Sequence, residues 1–454
     1  MSGKGSQPSS YPQRQQAASG YKGKALDVIT ASGVQVGDAL IAKNEKLSVS
    51  GILMPRSELD DDRHIVIKLK DGYNLGISVE SLTLQRLQPE EPRRTAPAVE
   101  AKSKPGLPKV AIISTGGTIA SRVDYKTGAV SPALTAGDLY QSVPELGEIA
   151  EIRTEILYSL LSENISPENW KSMAQSVYRQ IKEGADGVVI THGTDTMGFT
   201  AAALSFALQD LPVPVILVGS QRSSDRPSSD AYLNLKGAVL AASRAPFAEV
   251  GVLMHKGISD NGLVIHRGTR VRKMHTSRRD AFKSVNSPPL AYMNDGQIEA
   301  LQPFRARSGG KLPALKADFD PDVVLIKSFP GIPPDMFDPL IHRGFHGIVL
   351  EGTGLGHVPE KIFHQIRRAI QAGITVVMAS QCIYGRVNMN VYSTGRELLS
   401  MGVIPAGDML PETALVKLMW VLGQTTDKLR IRELFSSEIA GELSQRSAYT
   451  EGRE

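Results

Sequence analysis

The chain has 454 residues, 51 Lys plus Arg against 47 Asp plus Glu, a formal net charge of +4 and one cysteine, Cys382. Near-neutral charge excludes a polybasic, histone-like protein, and one cysteine excludes an internal disulfide, a CxxC redox pair and a Cys-rich zinc module. With 41% apolar and 22% charged residues, no apolar run near the roughly 18 residues that span a bilayer and no secretory h-region at the start, the sequence predicts a soluble cytoplasmic protein of about three domains without membrane association.

Residues 1–24 are Ser, Gln, Gly and Pro with four basic residues and no acid, which predicts a disordered tail. From 25 to 88 the character changes. HIVIKLK (64–70), Asp71-Gly72 and YNLGI (73–77) form a hairpin signal. VQVGDALIAK (34–43) and LSVSGILM (47–54) add short strands. A small all-β barrel is expected here. Such barrels often bind nucleic acid, but this stretch holds seven Lys/Arg and nine Asp/Glu. Phosphate binding needs a net positive face, so a protein-contacting module is the expectation. Residues 89–108 contain five prolines, too many for a helix or a central strand, and read as a linker.

From residue 109 short runs apolar throughout, such as KVAIIST (109–115), GVVIT (187–191), VPVILVG (213–219) and GIVLE (347–351), alternate with helical stretches at 167–184, 196–209 and 359–373. Strands covered on both faces read this way, and the alternation predicts an α/β fold with a parallel, doubly wound sheet. The irregular span around 284–320 divides it into an N-terminal lobe (109–300) and a C-terminal lobe (301–440), with a tail at 441–454.

In open α/β sheets ligands bind beyond the carboxyl ends of the strands. There the sequence offers Ser114-Thr115-Gly116-Gly117-Thr118 and Thr191-His192-Gly193-Thr194-Asp195-Thr196. A Thr hydroxyl becomes a nucleophile when a base takes its proton. Gly116 and Gly117 allow close approach to the backbone, and their N–H groups suit a developing oxyanion. Asp195 is placed to fix a ligand ammonium or orient a base. Each turn alone is ordinarily just a turn; together, at two strand ends, they point to one crevice.

TGGTIAS (115–121) followed by THGTDT (191–196) resembles the L-asparaginase/glutaminase family over roughly 109–430. The front module and linker, with LMPR (53–56) and KLKDGYNLGI (68–77), make the arrangement similar to the D-type subunits of archaeal glutamyl-tRNA(Gln) amidotransferases. The resemblance implies an asparaginase-like two-lobed parallel-sheet core behind a small all-β barrel. It implies a glutaminase that releases ammonia for a partner, the E-type subunit of the amidotransferase, which amidates Glu-tRNA(Gln) with ATP and magnesium. This chain itself would carry neither cofactor nor metal, and would be a homodimer within a heterotetramer. Carried over residue by residue, Thr115 matches the nucleophile, Tyr125 a lid tyrosine, and Thr194, Asp195 and Lys273 the second catalytic Thr, its acid and its lysine. Ser162 and Glu163 match positions holding the substrate's α-carboxylate and α-amino groups. His357, in GTGLGHVP, falls near a position where asparaginases use an Asn from a neighbouring protomer. A free-standing asparaginase/glutaminase and a catalytically inert tRNA-binding scaffold are the rival readings; the front module opposes the first and the intact motif residues the second.

Other features have ordinary readings. The run 267–283 holds seven basic residues and one acid, Asp280, as a solvated face or an RNA- or partner-facing patch would. Its arginines would depress the pKa of Lys273 if they faced it, while Asp195 would stabilise the ammonium; both stay open. His192 reads as structural. GTGLG (352–356) lacks the final spacing of a dinucleotide fingerprint, there is no P-loop, and no His/Cys pattern implies a metal. Residues 411–423 read as a core helix and Cys382 as a buried, inert thiol.

Overall fold

In the computed structural model the described residues are 20–45, 47–56, 60–69, 74–87, 106–116, 119, 121–123, 130–132, 143–222 and 229–446. They divide into two compact units. The smaller is built on the described residues up to Leu87. A helix, α1 (Gly23–Ala31), turns Ala25 and Ile29 inward. Five strands follow: β1 (Ala39–Lys43), β2 (Ser48–Leu53), β3 (His64–Lys68), β4 (Asn74–Ser78) and β5 (Thr83–Arg86). They form one antiparallel sheet in the order β4-β3-β2-β1-β5. The expected hairpin pairs His64 with Ser78 through to Lys68 with Asn74; its Asp71-Gly72 turn lies outside the described residues. Ile65, Ile67, Ile77 and Leu84 supply the core.

The fold takes in residues from the end of the stretch that composition assigned to a tail. Tyr21 is only 6% exposed. Its hydroxyl donates to the Met54 carbonyl (2.7 Å) and accepts the Val66 N–H (3.0 Å), so one phenol satisfies two backbone groups where β2 and β3 separate. Burial raises its pKa well above the ordinary tyrosine range. A single aromatic in a polar stretch leaves no compositional trace, and the short α1 was not expected either.

In the larger unit β6 (Lys109–Ser114), β7 (Glu151–Ile156), α2 (Pro167–Lys182), β8 (Gly187–Thr191), α3 (Met197–Ala207), β9 (Val215–Val218), α4 (Ala231–Arg244), β10 (Val250–His255) and β11 (Leu263–Arg267) come in chain order. A hairpin, β12 (Val271–Lys273) with β13 (Phe282–Ser284), and a second, β14 (Ala291–Asn294) with β15 (Gln297–Ala300), complete the lobe. The main sheet has the order β15-β14-β11-β10-β9-β8-β6-β7. The run β7-β6-β8-β9-β10 is parallel, as expected, whereas β11, β14 and β15 continue it antiparallel. The span around 284–320 is thus not simply irregular, since its first part is sheet. Side chains alternate across β6: Val110 and Ile112 pack toward α4, Ala111 and Ile113 toward α2 and α3. Both sets are buried, hence the uniformly apolar runs.

The second lobe is a parallel sheet of β16 (Val323–Lys327), β17 (Gly347–Gly352), β18 (Thr375–Ser380) and β19 (Ile404–Pro405). Its helices are α5 (Phe363–Gln371), α6 (Ser393–Met401), α7 (Pro411–Gln424) and α8 (Lys428–Ser436). α7 is core, as read: Ala414, Leu418 and Trp420 are buried, and Trp420 stacks on Phe206 of α3 at 5.9 Å. The expectation for Cys382 is corrected, because its thiol is free and exposed. The apolar run ends at Ser380, and Cys382 sits in the turn beyond the strand's carboxyl end, where the chain surfaces. The expected tail from 441 is also corrected in its first part. Glu442 is fully buried, because Lys417 donates to its carboxylate from α7. Among the described residues no helix is long and apolar enough to cross a membrane.

Candidate active site

The two motif turns lie side by side because their strands do. β6 and β8 pair in parallel with Ser114 opposite Thr191. One residue later, both the backbone N–H (3.1 Å) and the side-chain hydroxyl (2.8 Å) of Thr115 donate to the Thr191 carbonyl. Thr115 is buried at 1% exposure. The next residue, Gly116, has φ +123°, and a Cβ there would lie 2.1 Å from the Leu160 carbonyl oxygen. Only glycine lets these turns close so tightly.

The segment 160–163 seals a second side. The Leu160 N–H donates to the Thr115 carbonyl (3.2 Å), and Thr196 donates its hydroxyl to the Ser162 carbonyl (2.6 Å). A Cβ on Gly193 would meet the Ser162 side chain at 2.8 Å, so Ser162 lies directly against the second turn. Glu163 is exposed beside it. Beyond the turn, Lys273 on β12 donates to the Thr194 hydroxyl and to the Asp195 carboxylate, each at 2.8 Å. The lysine side chain is 13% exposed and the Asp195 side chain 69%, so a largely shielded ammonium is held between a hydroxyl and a solvent-facing carboxylate. Tyr125 and Gly117 lie outside the described residues.

His192 is structural. Its Nδ1 faces the Gly193 carbonyl (2.6 Å), so this nitrogen carries the proton. Its Nε2 accepts from Thr200 (2.8 Å), which accepts from the Trp170 indole (3.1 Å). Burial lowers its pKa to about 4, which keeps the ring neutral as a spacer between the turn and α3. Under the next turn, Asn234 donates to the Gly219 carbonyl (2.9 Å) and to Asp230 (3.0 Å), and faces His255 Nδ1 (2.7 Å). The structural reading of His192 holds, whereas Thr200, Trp170, Asn234, Asp230 and His255 were not singled out from the sequence; Thr191 was read there only as part of the second turn.

His357 is not brought to this cluster by any hydrogen bond among the described residues. It follows β17 in the other lobe, packs edge-on against Tyr392 at 5.2 Å, and approaches Thr394 with Nδ1 (3.5 Å).

The cations of the basic run 267–283 are paired within the fold, although Arg278 and Lys283 stay about half exposed. Arg267 pairs with Glu249 (2.7 Å), Arg270 with Asp408 (3.0 Å), Arg272 with Glu412 (3.2 Å) and Arg279 with Asp260 (2.5 Å). Arg278 and Lys283 share Asp280 (2.9 and 3.0 Å). With Lys273 on Asp195, every cation of the run has a carboxylate. Most of those acids come from distant segments, so the run reads as unopposed only when the sequence is taken linearly.

Comparison with known proteins gives the arrangement its relatives. Three family models match: asparaginase, N-terminal, over 109–305; the glutaminase/asparaginase C-terminal domain over 322–435; and the GatD N-terminal domain over 34–87. The chain is 49% identical over 429 residues to the D-type subunit of glutamyl-tRNA(Gln) amidotransferase from Methanothermobacter thermautotrophicus, covering 94% of this chain and 98% of that one. It is 48% identical to the protein of the same name from Pyrococcus furiosus, covering 92% and 97%. Among solved structures, the thermostable L-asparaginase from Thermococcus kodakarensis superposes with a TM-score of 0.66 at 37% identity, covering 74% of this chain and all of that one. L-asparaginase I from Vibrio cholerae superposes at 0.64 and 29%, covering 74% and 99%.

Proposed function

The chain belongs to the family of D-type glutamyl-tRNA(Gln) amidotransferase subunits, and we propose that it is the glutaminase of such an enzyme. It hydrolyses the side-chain amide of glutamine in the cytoplasm and delivers the ammonia to a partner, the E-type subunit. That partner, with ATP and magnesium, converts Glu-tRNA(Gln) to Gln-tRNA(Gln). Two copies of this chain sit in a heterotetramer. This chain's own chemistry uses no cofactor.

In this reading Thr115 Oγ attacks the amide carbon. The N–H groups at Gly116 and Gly117 hold the oxyanion. The C–N bond breaks, and the proton of the Thr115 hydroxyl ends on the departing nitrogen, so a γ-glutamyl ester and ammonia result. Water then cleaves the ester to glutamate and restores Thr115. Tyr125 closes over the site and relays the proton. Ser162 holds the α-carboxylate and Glu163 the α-ammonium. Lys273, held by Asp195, fixes the Thr194 hydroxyl, and the three assist proton transfer.

One observation carries this reading: the Lys273 ammonium bridges Thr194 and Asp195 at 2.8 Å each, on the turn whose Thr191 carbonyl anchors Thr115. A scaffold that only bound tRNA would have no use for a shielded lysine on a threonine hydroxyl. The module matched at 34–87 favours a component of a larger enzyme over a free-standing one. Thr115→Ala in the assembled enzyme is expected to abolish amidation of Glu-tRNA(Gln) driven by glutamine and to spare amidation driven by added ammonium. Undiminished glutamine-driven amidation would overturn the assignment.

A further inference from the structure

Lys273 reaches Thr194 from a two-stranded hairpin, β12 with β13, that carries only three residues in each strand. Two paired triplets do not hold a side chain in place by themselves. The hairpin is fastened from the other lobe and from the last described segment of the chain. Arg270, just before β12, is 2% exposed. Its guanidinium donates to the Asp408 carboxylate (3.0 Å), the Gly441 carbonyl (2.9 Å) and the Ser444 hydroxyl (2.8 Å). Asp408 in turn accepts the Ser444 N–H (3.0 Å). Thr269 donates to the Ala440 carbonyl (2.9 Å). After β13, Asn286 adopts φ +56° and donates to the Asp408 carbonyl (2.9 Å). Both ends of the hairpin therefore converge on Asp408.

We propose that Arg270, Asp408 and Ser444 are positioning residues for Lys273: they form a buried clamp that sets its ammonium against Thr194 and Asp195. The inference rests on the reading of Lys273 as part of the glutaminase machinery. It adds that the lobe carrying neither Thr115 nor Thr194, together with segment 437–444, governs turnover through one ion pair. The guanidinium sits among fixed acceptors, so Lys cannot replace it: a single ammonium does not span a carboxylate, a carbonyl and a hydroxyl at once.

The test is a double-mutant cycle on the assembled enzyme. The readouts are kcat and KM for glutamine, with thermal melts recorded for each variant. Arg270→Lys is expected to lower kcat about 10- to 100-fold, as misplacement of a catalytic group by about 1 Å does, with KM changed less than about threefold. In a Lys273→Met background the same substitution should lower kcat less than about twofold, because the group it positions is gone. Equal losses in both backgrounds would overturn the clamp while leaving the role of Lys273 intact. An unchanged kcat for Lys273→Met alone would instead overturn the reading of the site. Ser444→Ala removes one hydrogen bond at the guanidinium and is read in the same cycle if Arg270→Lys does not fold. It should lower kcat about threefold with Lys273 present and not at all without it; no effect in either background would overturn the clamp.

Discussion

The Thr115 hydroxyl donates to the Thr191 carbonyl across 2.8 Å, so its proton points into the sheet. If Thr115 is the nucleophile, as proposed, attack requires this hydroxyl to swing its proton toward a base while the backbone N–H keeps its own bond to Thr191 (3.1 Å). The β-branched side chain limits that swing to a change of one rotamer. Thr115→Ser keeps the nucleophile but releases the rotamer, and should retain glutaminase activity lowered about tenfold. Thr115→Val keeps the shape, loses the oxygen, and should lower kcat by about 10³-fold or more. Steady-state ammonia release from glutamine distinguishes the two.

Asp195 holds the Lys273 ammonium from the solvent side. Asp195→Asn keeps an oxygen at hydrogen-bond distance and removes the charge. It is expected to lower kcat about 10²- to 10⁴-fold, the range for a displaced proton-transfer group, with ammonium-driven amidation unaffected. An Asn variant with wild-type kcat would show that Lys273 needs only the Thr194 hydroxyl.

Gly116 has a backbone conformation that L side chains rarely adopt, and a Cβ would press on the Leu160 carbonyl at 2.1 Å. Gly116→Ala must therefore open the contact between the first turn and segment 160–163. Activity should fall more than about 100-fold, while the melting temperature falls by a few degrees, as for a strain of about 1–3 kcal/mol.

The sheet and the two turns were legible because their causes are local. Buried strands leave unbroken apolar runs, and a glycine-containing turn at a strand end leaves a short motif. What the sequence withheld is pairing over distance. Arg270 looks like one of seven cations until Asp408, from the other lobe, is folded beside it (3.0 Å). Tyr21 looks like tail until Met54 and Val66 take up its hydroxyl. Cys382 read as buried, as free cysteines tend to be, although the strand has ended by Ser380 and the thiol is exposed. The positions of Lys273 and Ser162 in the site came from family resemblance, since nothing in their neighbours' spacing marks them.

His192 and His266 predict a pH dependence of stability. Both are buried, and burial lowers their pKa values from 6.5 to about 4 and about 3. Above pH 6.5 both rings are neutral whether the chain is folded or not, and nothing is lost. As pH falls below 6.5 the unfolded chain takes up protons that the folded chain refuses, so stability declines toward pH 4. For His192 the full loss is about 3 kcal/mol. The folded carboxylates of Glu155 and Asp280 have lowered pKa values, so their contribution is lost only below about pH 4.5. Urea midpoints between pH 7 and 5 therefore report the histidines, and His192→Gln should flatten that slope. An unchanged slope would show that His192 is not what the acid side titrates.

Lys417 and Glu442 make the last prediction, because both side chains are fully buried. The Lys417 ammonium donates to the Glu442 carboxylate and the Ser437 carbonyl (2.6 Å) and lies 5.5 Å from the ring centre of Phe435. Burial lowers its pKa against the pull of the carboxylate. Glu442 also accepts the N–H groups of Ile439 and Ala440, which folds segment 437–442 back onto α7. Removing one partner strands a buried charge, so Glu442→Ala should cost about 3–5 kcal/mol. Replacing both partners with apolar residues, as in Lys417→Met with Glu442→Leu, should recover much of that, because a buried pair is roughly balanced against its own desolvation. The recovery should stop short of complete, because the Ile439 and Ala440 N–H groups lose their acceptor in the double variant. Chemical denaturation of the wild type, Glu442→Ala and the double variant checks the order. A double variant no more stable than Glu442→Ala would mean that the carboxylate matters for those two N–H groups rather than for the lysine.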